Sequence, residues 1–405
     1  MLFPLLLQGQ NTIILDPNFE QALIDLGVDK DYVDGVVPTS SVNNIQYLNI
    51  SHKNIVDLTG IEAFTSLTSL NCVNNDLTDL SLSQNPNLTT LNCFGNQLTH
   101  LDVTDNLALT FLNCGNNLLS DLDLSNNLNL EHLSCEGNHL SFLDVSSNLD
   151  LNVIYCNNNQ ISYLDLIQLT DLNELNCSSN IFTDLNVGFN HNLLSLNCSD
   201  NLLSDLNVTQ TGSLNYLNCK NNYVSTLDLT FNPFLEQLNC ANNELSSLDL
   251  HSNSLLRGLN CTSNDLRCLN VKNGNNINFI YFYAYFNEDL MCIDVDDESY
   301  ANANWLTHID PVATFNFNCS SPCSTTGVDD LGFKLNAYPN PTNEKFTLDL
   351  ADYSGSILVK VFDLSGRLLL SETSMIISLS ALSKGAYLVQ VNYESYNQMI
   401  QVIKE

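Results

Sequence analysis

LTSLNCVNNDL, residues 67–77, continued by LTDLSLSQN from Leu77 to Asn85, is the stretch on which the fold turns. In both halves apolar and polar residues alternate, through Leu70 and Cys72 and again through Leu80 and Leu82, which is the period of a strand with one buried face. The unit recurs every 21 residues: Cys72, Cys93, Cys114, Cys135, Cys156, Cys177, Cys198, Cys219, Cys240 and Cys261 each have an asparagine three positions later and a leucine eight positions later. A fixed period in the twenties marks stacked repeats. One coil cannot bury its own apolar face, so stability must come from neighbours stacked at about 4.8 Å per coil. The pattern predicts a short parallel strand on each side of every coil and little helix between them.

The asparagine column, Asn75, Asn96, Asn117, Asn138, Asn159 and on to Asn264, falls where the chain turns out of the strand and inward backbone groups lose their sheet partners. A buried amide stacked on its equivalents satisfies those groups, so the column is read as structural. The cysteines beside it, Cys72, Cys93, Cys114, Cys135, Cys156 and their successors, are read as small buried hydrophobes. One thiol per coil does not converge on a metal, although distance alone leaves an occasional disulfide between neighbours open. The doubled leucine pattern resembles the nested 21-residue class of bacterial leucine-rich repeats over about half of the chain. That resemblance implies a mainly β, leucine-rich-repeat solenoid.

Three positions flanking each cysteine, three before, one before and one after, point outward. The middle one is asparagine in most coils, with Ser134 and Tyr155 as exceptions, and the outer two vary. Variable side chains on a constant scaffold are how solenoids present a recognition surface, the alternative being drift of unconstrained residues. Phe94, Phe111, His132, Tyr155, Glu174 and Tyr216 are the candidate binding residues. On the opposite side Asp102, Asp123, Asp144, Asp165, Asp228 and Asp249 stand nine residues after their cysteines. Stacked carboxylates repel, so this column is expected to be hydrated or bonded to turn amides, with bridging by calcium as the alternative.

A stacked core needs lids. Upstream, DPNFEQALIDLG from Asp16 to Gly27 has a helix start signal and one apolar face, and an irregular first coil follows from Ile45. Asp29, Asp31 and Asp34 before Gly35 are weak calcium candidates whose spacing departs from the familiar loop. Downstream the repeat degrades after Val271 and returns once as LMCIDV, residues 290–295. Cys268, Cys292, Cys319 and Cys323 are expected to form disulfides, Cys268 with Cys292 as the first pairing considered and Cys292 with Cys319 as the second. The opening MLFPLLLQGQ reads as the remnant of a secretory signal, or else as a frayed terminus.

From Phe333 the style changes to alternating strands separated by turn signals at Asn340-Pro341, Ser365-Gly366 and Lys384-Gly385, as expected of a small β-sandwich of immunoglobulin type. This segment resembles the C-terminal sorting domain of the type IX secretion system of Bacteroidetes. The resemblance runs through YPNP (Tyr338, Pro339, Asn340, Pro341), DLSGR with Gly366, and GAYLVQV beginning at Gly385. It implies engagement of the type IX machinery, export across the outer membrane, removal of the module, and release or surface attachment.

The net charge of −33, from 45 acidic against 12 basic residues, disfavours nucleic acid and anionic lipid as partners. Basic residues are uneven: Lys220 is the only one between Leu67 and Leu256, whereas six lie between Lys334 and Lys404. No apolar run approaches the roughly eighteen residues of a membrane-spanning helix. No nucleophilic triad order, histidine cluster or phosphate-cradling glycine loop is present, so catalysis is not expected. The organisation expected is a signal remnant at 1–10, an N-terminal cap at 11–44, the solenoid at 45–277, its C-terminal cap at 278–323, a linker at 324–332 and the sorting domain at 333–405. The function expected is recognition of a protein or glycan by a secreted or surface-attached monomer without a cofactor. A passive spacer and a calcium-dependent adhesin are the alternatives.

Overall fold

The computed structural model describes residues 10–30, 32–319, 323, 335–338, 341–350, 357–363, 367–393 and 396–404. The chain divides into two compact units, Met1–Thr325 and Thr326–Glu405. The expected linker at 324–332, and the expected signal remnant apart from Gln10, lie outside the described residues.

In the first unit the constant repeat length brings equivalent residues side by side. Twelve three-residue strands, from Tyr47–Asn49 to Tyr281–Tyr283, form one parallel sheet. Ser69 pairs with Thr90 and Thr90 with Phe111, coil after coil. Leu70, Leu91 and Leu112 point inward and, with the cysteine that follows each strand, are fully buried in one continuous core. The strands are short because the chain turns at once. Two positions after the cysteine the backbone is left-handed, at Asn74 (φ 51°), Asn116 (φ 49°) and Asn158 (φ 56°), and at Gly95 (φ 69°) and Gly137 (φ 64°). Asparagine and glycine tolerate that region at least cost, which explains their alternation there.

The expected second strand forms in only part of the solenoid. A parallel sheet on the far side comprises Ser247–Asp249, Cys268–Asn270, Cys292–Asp294 and Thr314–Asn316, whereas the corresponding residues of the earlier coils run without ladder pairing. That sheet sits where two disulfides cross-link the chain, Cys268 to Cys323 (Cα–Cα 5.3 Å) and Cys292 to Cys319 (Cα–Cα 5.9 Å). The pairing of Cys268 with Cys292 is therefore corrected. The two residues begin adjacent strands in parallel register, with Leu269 opposite Ile293. Side chains so placed stand a strand spacing of about 4.8 Å apart, more than the roughly 3.8 Å that disulfide Cβ atoms prefer. The same geometry accounts for the ten ladder cysteines, all of which are free and buried.

The solenoid also extends beyond residue 277. Tyr281–Tyr283 is the last strand of the large sheet and pairs with Gly258–Asn260, a step of 23 residues. The two-residue insertion, with Ala284 in the cysteine position, hides this coil from a search at constant period.

Both ends are closed. Helix α1, Pro17–Asp25, is capped by Asp16, whose Oδ1 accepts from the amides of Asn18 (2.7 Å) and Phe19 (3.3 Å). Its other oxygen accepts from Val56 (2.6 Å) and Asp57 (3.1 Å), tying the lid to the first coil. Phe19 is fully buried and stacks on Phe64 at 6.2 Å. At the other end Trp305, 3% exposed, stacks on Phe282 at 4.4 Å.

The second unit is an antiparallel sandwich. One sheet holds Leu335–Tyr338, Lys345–Leu350 and Ile376–Ser378; the other holds Leu368–Glu372, Ile357–Phe362, Gly385–Tyr393 and Tyr396–Lys404. Phe346, Val359, Val361, Ile377, Val389, Val391 and Val402 fill its core.

Candidate functional site

The asparagine column is the site's scaffold. The Asn117 amide nitrogen donates to the carbonyls of Cys93 and Cys114, each at 3.1 Å, while its Oδ1 accepts from Leu98 N at 3.0 Å. Asn75, Asn96, Asn138 and Asn159 repeat this arrangement, so each cysteine carbonyl is shared between the asparagine of its own coil and that of the next. Behind them Cys72, Cys93, Cys114, Cys135 and Cys156 are fully buried. Burial pushes the Cys72 and Cys156 thiols up to about 12, which leaves them protonated and unreactive.

On the outward face the middle column carries its own hydrogen bonds. Asn71, Asn113, Asn176 and Asn197 each accept from the amide two residues on, at 3.1 to 3.2 Å, closing a turn at the strand's end. Ser134 and Tyr155 interrupt that uniform row, and a cluster stands where they do. Phe111 and His132, on adjacent strands, stack at 4.5 Å with planes 14° apart, and His132 meets Tyr155 edge to face at 5.6 Å. His132 Nε2 lies 3.0 Å from Ser134 Oγ, and burial holds its ring below the usual histidine range. The Tyr155 hydroxyl donates to Glu174 Oε2 at 2.5 Å, a bond that, with burial and the nearby charge, raises the phenol to about 12. Four of the six sequence candidates thus lie together across four successive strands.

Phe94 and Tyr216 are half-buried and lie outside this cluster. A second aromatic group, which the sequence reading missed, stands on the last strand of the same sheet. Tyr281 and Tyr283 stack at 6.0 Å, and Tyr283 meets Tyr285 at 6.1 Å and His308 at 5.1 Å. Tyr281 lies across Gly258, where a Cβ would fall 2.4 Å from its ring. The signal was present in IYFYAYF, residues 280–286, which alternates aromatic residues in the repeat's own phase. Glu136 was missed as well. It is half-buried one residue after Cys135, and burial raises its carboxyl above the usual range.

The aspartate column is occupied locally. Asp102, Asp123, Asp144, Asp165 and Asp228 each accept from the amide two residues on, at 2.9 to 3.1 Å. Hydroxyl and then amide bonds from Thr104 and Ser146 hold the carboxyls of Asp102 and Asp144 below the usual range, and the amide and then the hydroxyl of Ser125 do the same for Asp123. At the N-terminal lid, Asp31 lies outside the described residues. Asp34 pairs with Lys30 at 3.8 Å, its amide donates to buried Glu20 at 2.7 Å, and both Asp29 carboxylate oxygens are buried without a partner. Among the described residues no group of three His, Cys, Asp or Glu side chains is placed to hold a metal ion.

In the sandwich, Tyr338 ends its first strand, Pro341 is exposed just before the second, and Gly385 opens the strand Gly385–Tyr393. Pro339, Asn340 and Gly366 lie outside the described residues.

Residues 336–405 match the family described as the secretion system C-terminal sorting domain. No curated protein sequence matches the chain. Among solved structures, the functional domain of InlJ from Listeria monocytogenes, whose description includes a cysteine ladder, is 26% identical with a TM-score of 0.65, the alignment covering 98% of this chain and 99% of that one. The internalin InlF of the same organism is 24% identical with a TM-score of 0.55, over 76% of this chain and 96% of that one. A leucine-rich-repeat protein of Leptospira interrogans is 24% identical with a TM-score of 0.53, over 64% of this chain and 74% of that one. The fold is a parallel β solenoid of the leucine-rich-repeat kind. The sorting domain marks the protein for type IX export to a secreted or cell-surface location. No helix among the described residues is long and apolar enough to cross a membrane.

Proposed function

We propose that this exported solenoid is a non-catalytic recognition protein that meets a protein or glycan ligand with the outward face of its cysteine-side sheet, centred on Phe111, His132, Tyr155 and Glu174. The observation that carries the reading is the coincidence of the aromatic cluster with the break in the asparagine row. A uniform row of self-bonded amides suits a passive surface, and it gives way where four variable residues touch one another. Large, partly exposed aromatic side chains beside a carboxylate are what recognition hot spots are made of. Similarity to internalin structures supports the reading at the level of the fold. A spacer would have no reason to gather these side chains, and the aspartates of the opposite side are engaged with turn amides, which favours a calcium-independent face.

The test is binding of the full chain to an array of glycans and extracellular proteins, with and without a calcium chelator. A saturable ligand lost in Phe111→Ala and unaffected by chelation is expected. Ligands indifferent to Phe111→Ala and Tyr155→Ala would move recognition elsewhere, and the Tyr281, Tyr283 and Tyr285 group would be the next face to mutate.

A further inference from the structure

The charges around the cluster narrow the class of ligand. Glu174 is held toward the rings by Tyr155. A second carboxylate, Glu136, whose charge acts on the Tyr155 hydroxyl, lies flat over Gly115, where a Cβ would stand 2.6 Å from its carboxyl carbon, so the missing side chain is what lets Glu136 fold down onto the sheet beside the cluster. Its Oε2 is buried with no hydrogen-bond partner. No cation of the repeat array offsets it: Lys220, the single basic residue between Leu67 and Leu256, lies four coils away and pairs with Asp200 at 3.9 Å. His132, desolvated in the stack, is held toward its neutral form and supplies little compensating charge.

A half-buried carboxylate with no cationic partner costs free energy that a bound cation recovers. Ring faces attract the same kind of group, and a guanidinium can stack on a ring while donating to carboxylates. We propose that the cluster of Phe111, His132, Tyr155, Glu136 and Glu174 receives a basic side chain, arginine or lysine, from an extended segment of a protein partner. The proposal rests on the reading of this face as the recognition surface and specifies what that surface selects. The overall charge of −33 assists by drawing basic segments in from a distance, but it is spread over the whole chain and selects nothing by itself.

The experiment is selection from a random peptide library displayed on phage against the immobilised full chain, followed by affinity measurement of the selected peptides at low and physiological salt. Peptides rich in arginine or lysine are expected. The double variant E136Q/E174Q should weaken them about ten-fold or more, the scale of a lost charge-assisted contact. The variant D184N/D205N removes two exposed carboxylates elsewhere in the repeats and so the same net charge. It should change affinity less than about two-fold, because distant exposed charges are screened. Peptides or neutral glycans that lose binding to Phe111→Ala but keep it with E136Q/E174Q would overturn the basic-residue proposal and leave the face as the recognition surface. Equal losses with both double variants would reduce the effect to net charge and overturn it too. Failure to select any ligand sensitive to Phe111→Ala would overturn the reading of the face and the proposal together.

Discussion

Two columns of buried asparagine run through the solenoid, and a leucine placed in each should have different consequences. Asn117 is 4% exposed and Asn127 is fully buried. Asn117→Leu removes the bonds its two amide hydrogens share among the Cys93, Cys114 and Gly115 carbonyls, at about 1 kcal/mol per hydrogen, and leaves the Leu98 amide without its acceptor at a further cost of about 1–3 kcal/mol. The apolar surface that leucine buries returns about 1 kcal/mol, for a net loss of about 3 kcal/mol. Asn127 also donates twice, to the carbonyls of Val103 and Asn106, each at 3.0 Å. Those carbonyls keep backbone donors, Asn106 N at 3.0 Å and Leu109 N at 3.1 Å, and the Oδ1 of Asn127 has no partner at all. Removing that unpartnered oxygen returns about what the two bonds cost, so Asn127→Leu should fall within about 1 kcal/mol of wild type. The chain itself supports the contrast: Leu169 and Thr211 stand in the Asn127 column, whereas every equivalent of Asn117 from Asn75 to Asn264 is asparagine. Urea unfolding of the full chain followed by circular dichroism, with hydrogen exchange of the affected coils, measures both. A loss at Asn127 as large as that at Asn117 would refute the reasoning, because it would mean that the unpartnered oxygen costs nothing.

The ten ladder thiols should resist a thiol reagent in the folded protein and react together on unfolding in denaturant, since all are buried and those of Cys72, Cys156, Cys219 and Cys261 are raised to about 12; rapid labelling of several in native buffer would count against the buried ladder. C292S/C319S opens a loop of 27 residues and should destabilise the C-terminal lid by about 3–4 kcal/mol. The fluorescence of Trp305, the single tryptophan, reports on that lid, and an unchanged transition would remove the disulfide from its support. Glu136→Gln should raise the melting temperature near pH 7. Burial raises the folded-state pKa of Glu136, so its contribution to stability is fully present below the ordinary value of 4.5 and is lost as pH rises through the folded value. The advantage of the variant should therefore shrink as calorimetry is repeated toward about pH 4, and an advantage independent of pH would contradict the assignment to ionisation.

Much of the architecture was legible because the repeat reports on itself. A residue type returning at one interval must occupy equivalent places in stacked coils, so the buried cysteines, the first asparagine column and the outward columns could be named before any coordinates. The left-handed turn after each strand was legible too, in the Asn/Gly alternation from Asn74 to Gly137, but it stands outside the apolar period and passed unread. The Asn127 column was passed over because an asparagine in a polar half-coil gives no sign that it is buried.

The sequence by itself determined the period, the inward and outward phase of each strand and the all-β module that follows, because strand alternation and stacking are properties of neighbours along the chain and of equal steps between coils. Only the tertiary structure decided which cysteines pair, since cross-linking depends on Cβ separations between strands and on where the chain returns after leaving them. It also decided that the far side forms a ladder only where the disulfides lie, and that the 23-residue step to Tyr281 still lands in register. The cluster itself belongs to the same class. Phe111, His132, Tyr155 and Glu174 are twenty or so residues apart in sequence, and side-chain rotation across parallel strands at close spacing is what brings their rings, hydroxyl and carboxylate into contact.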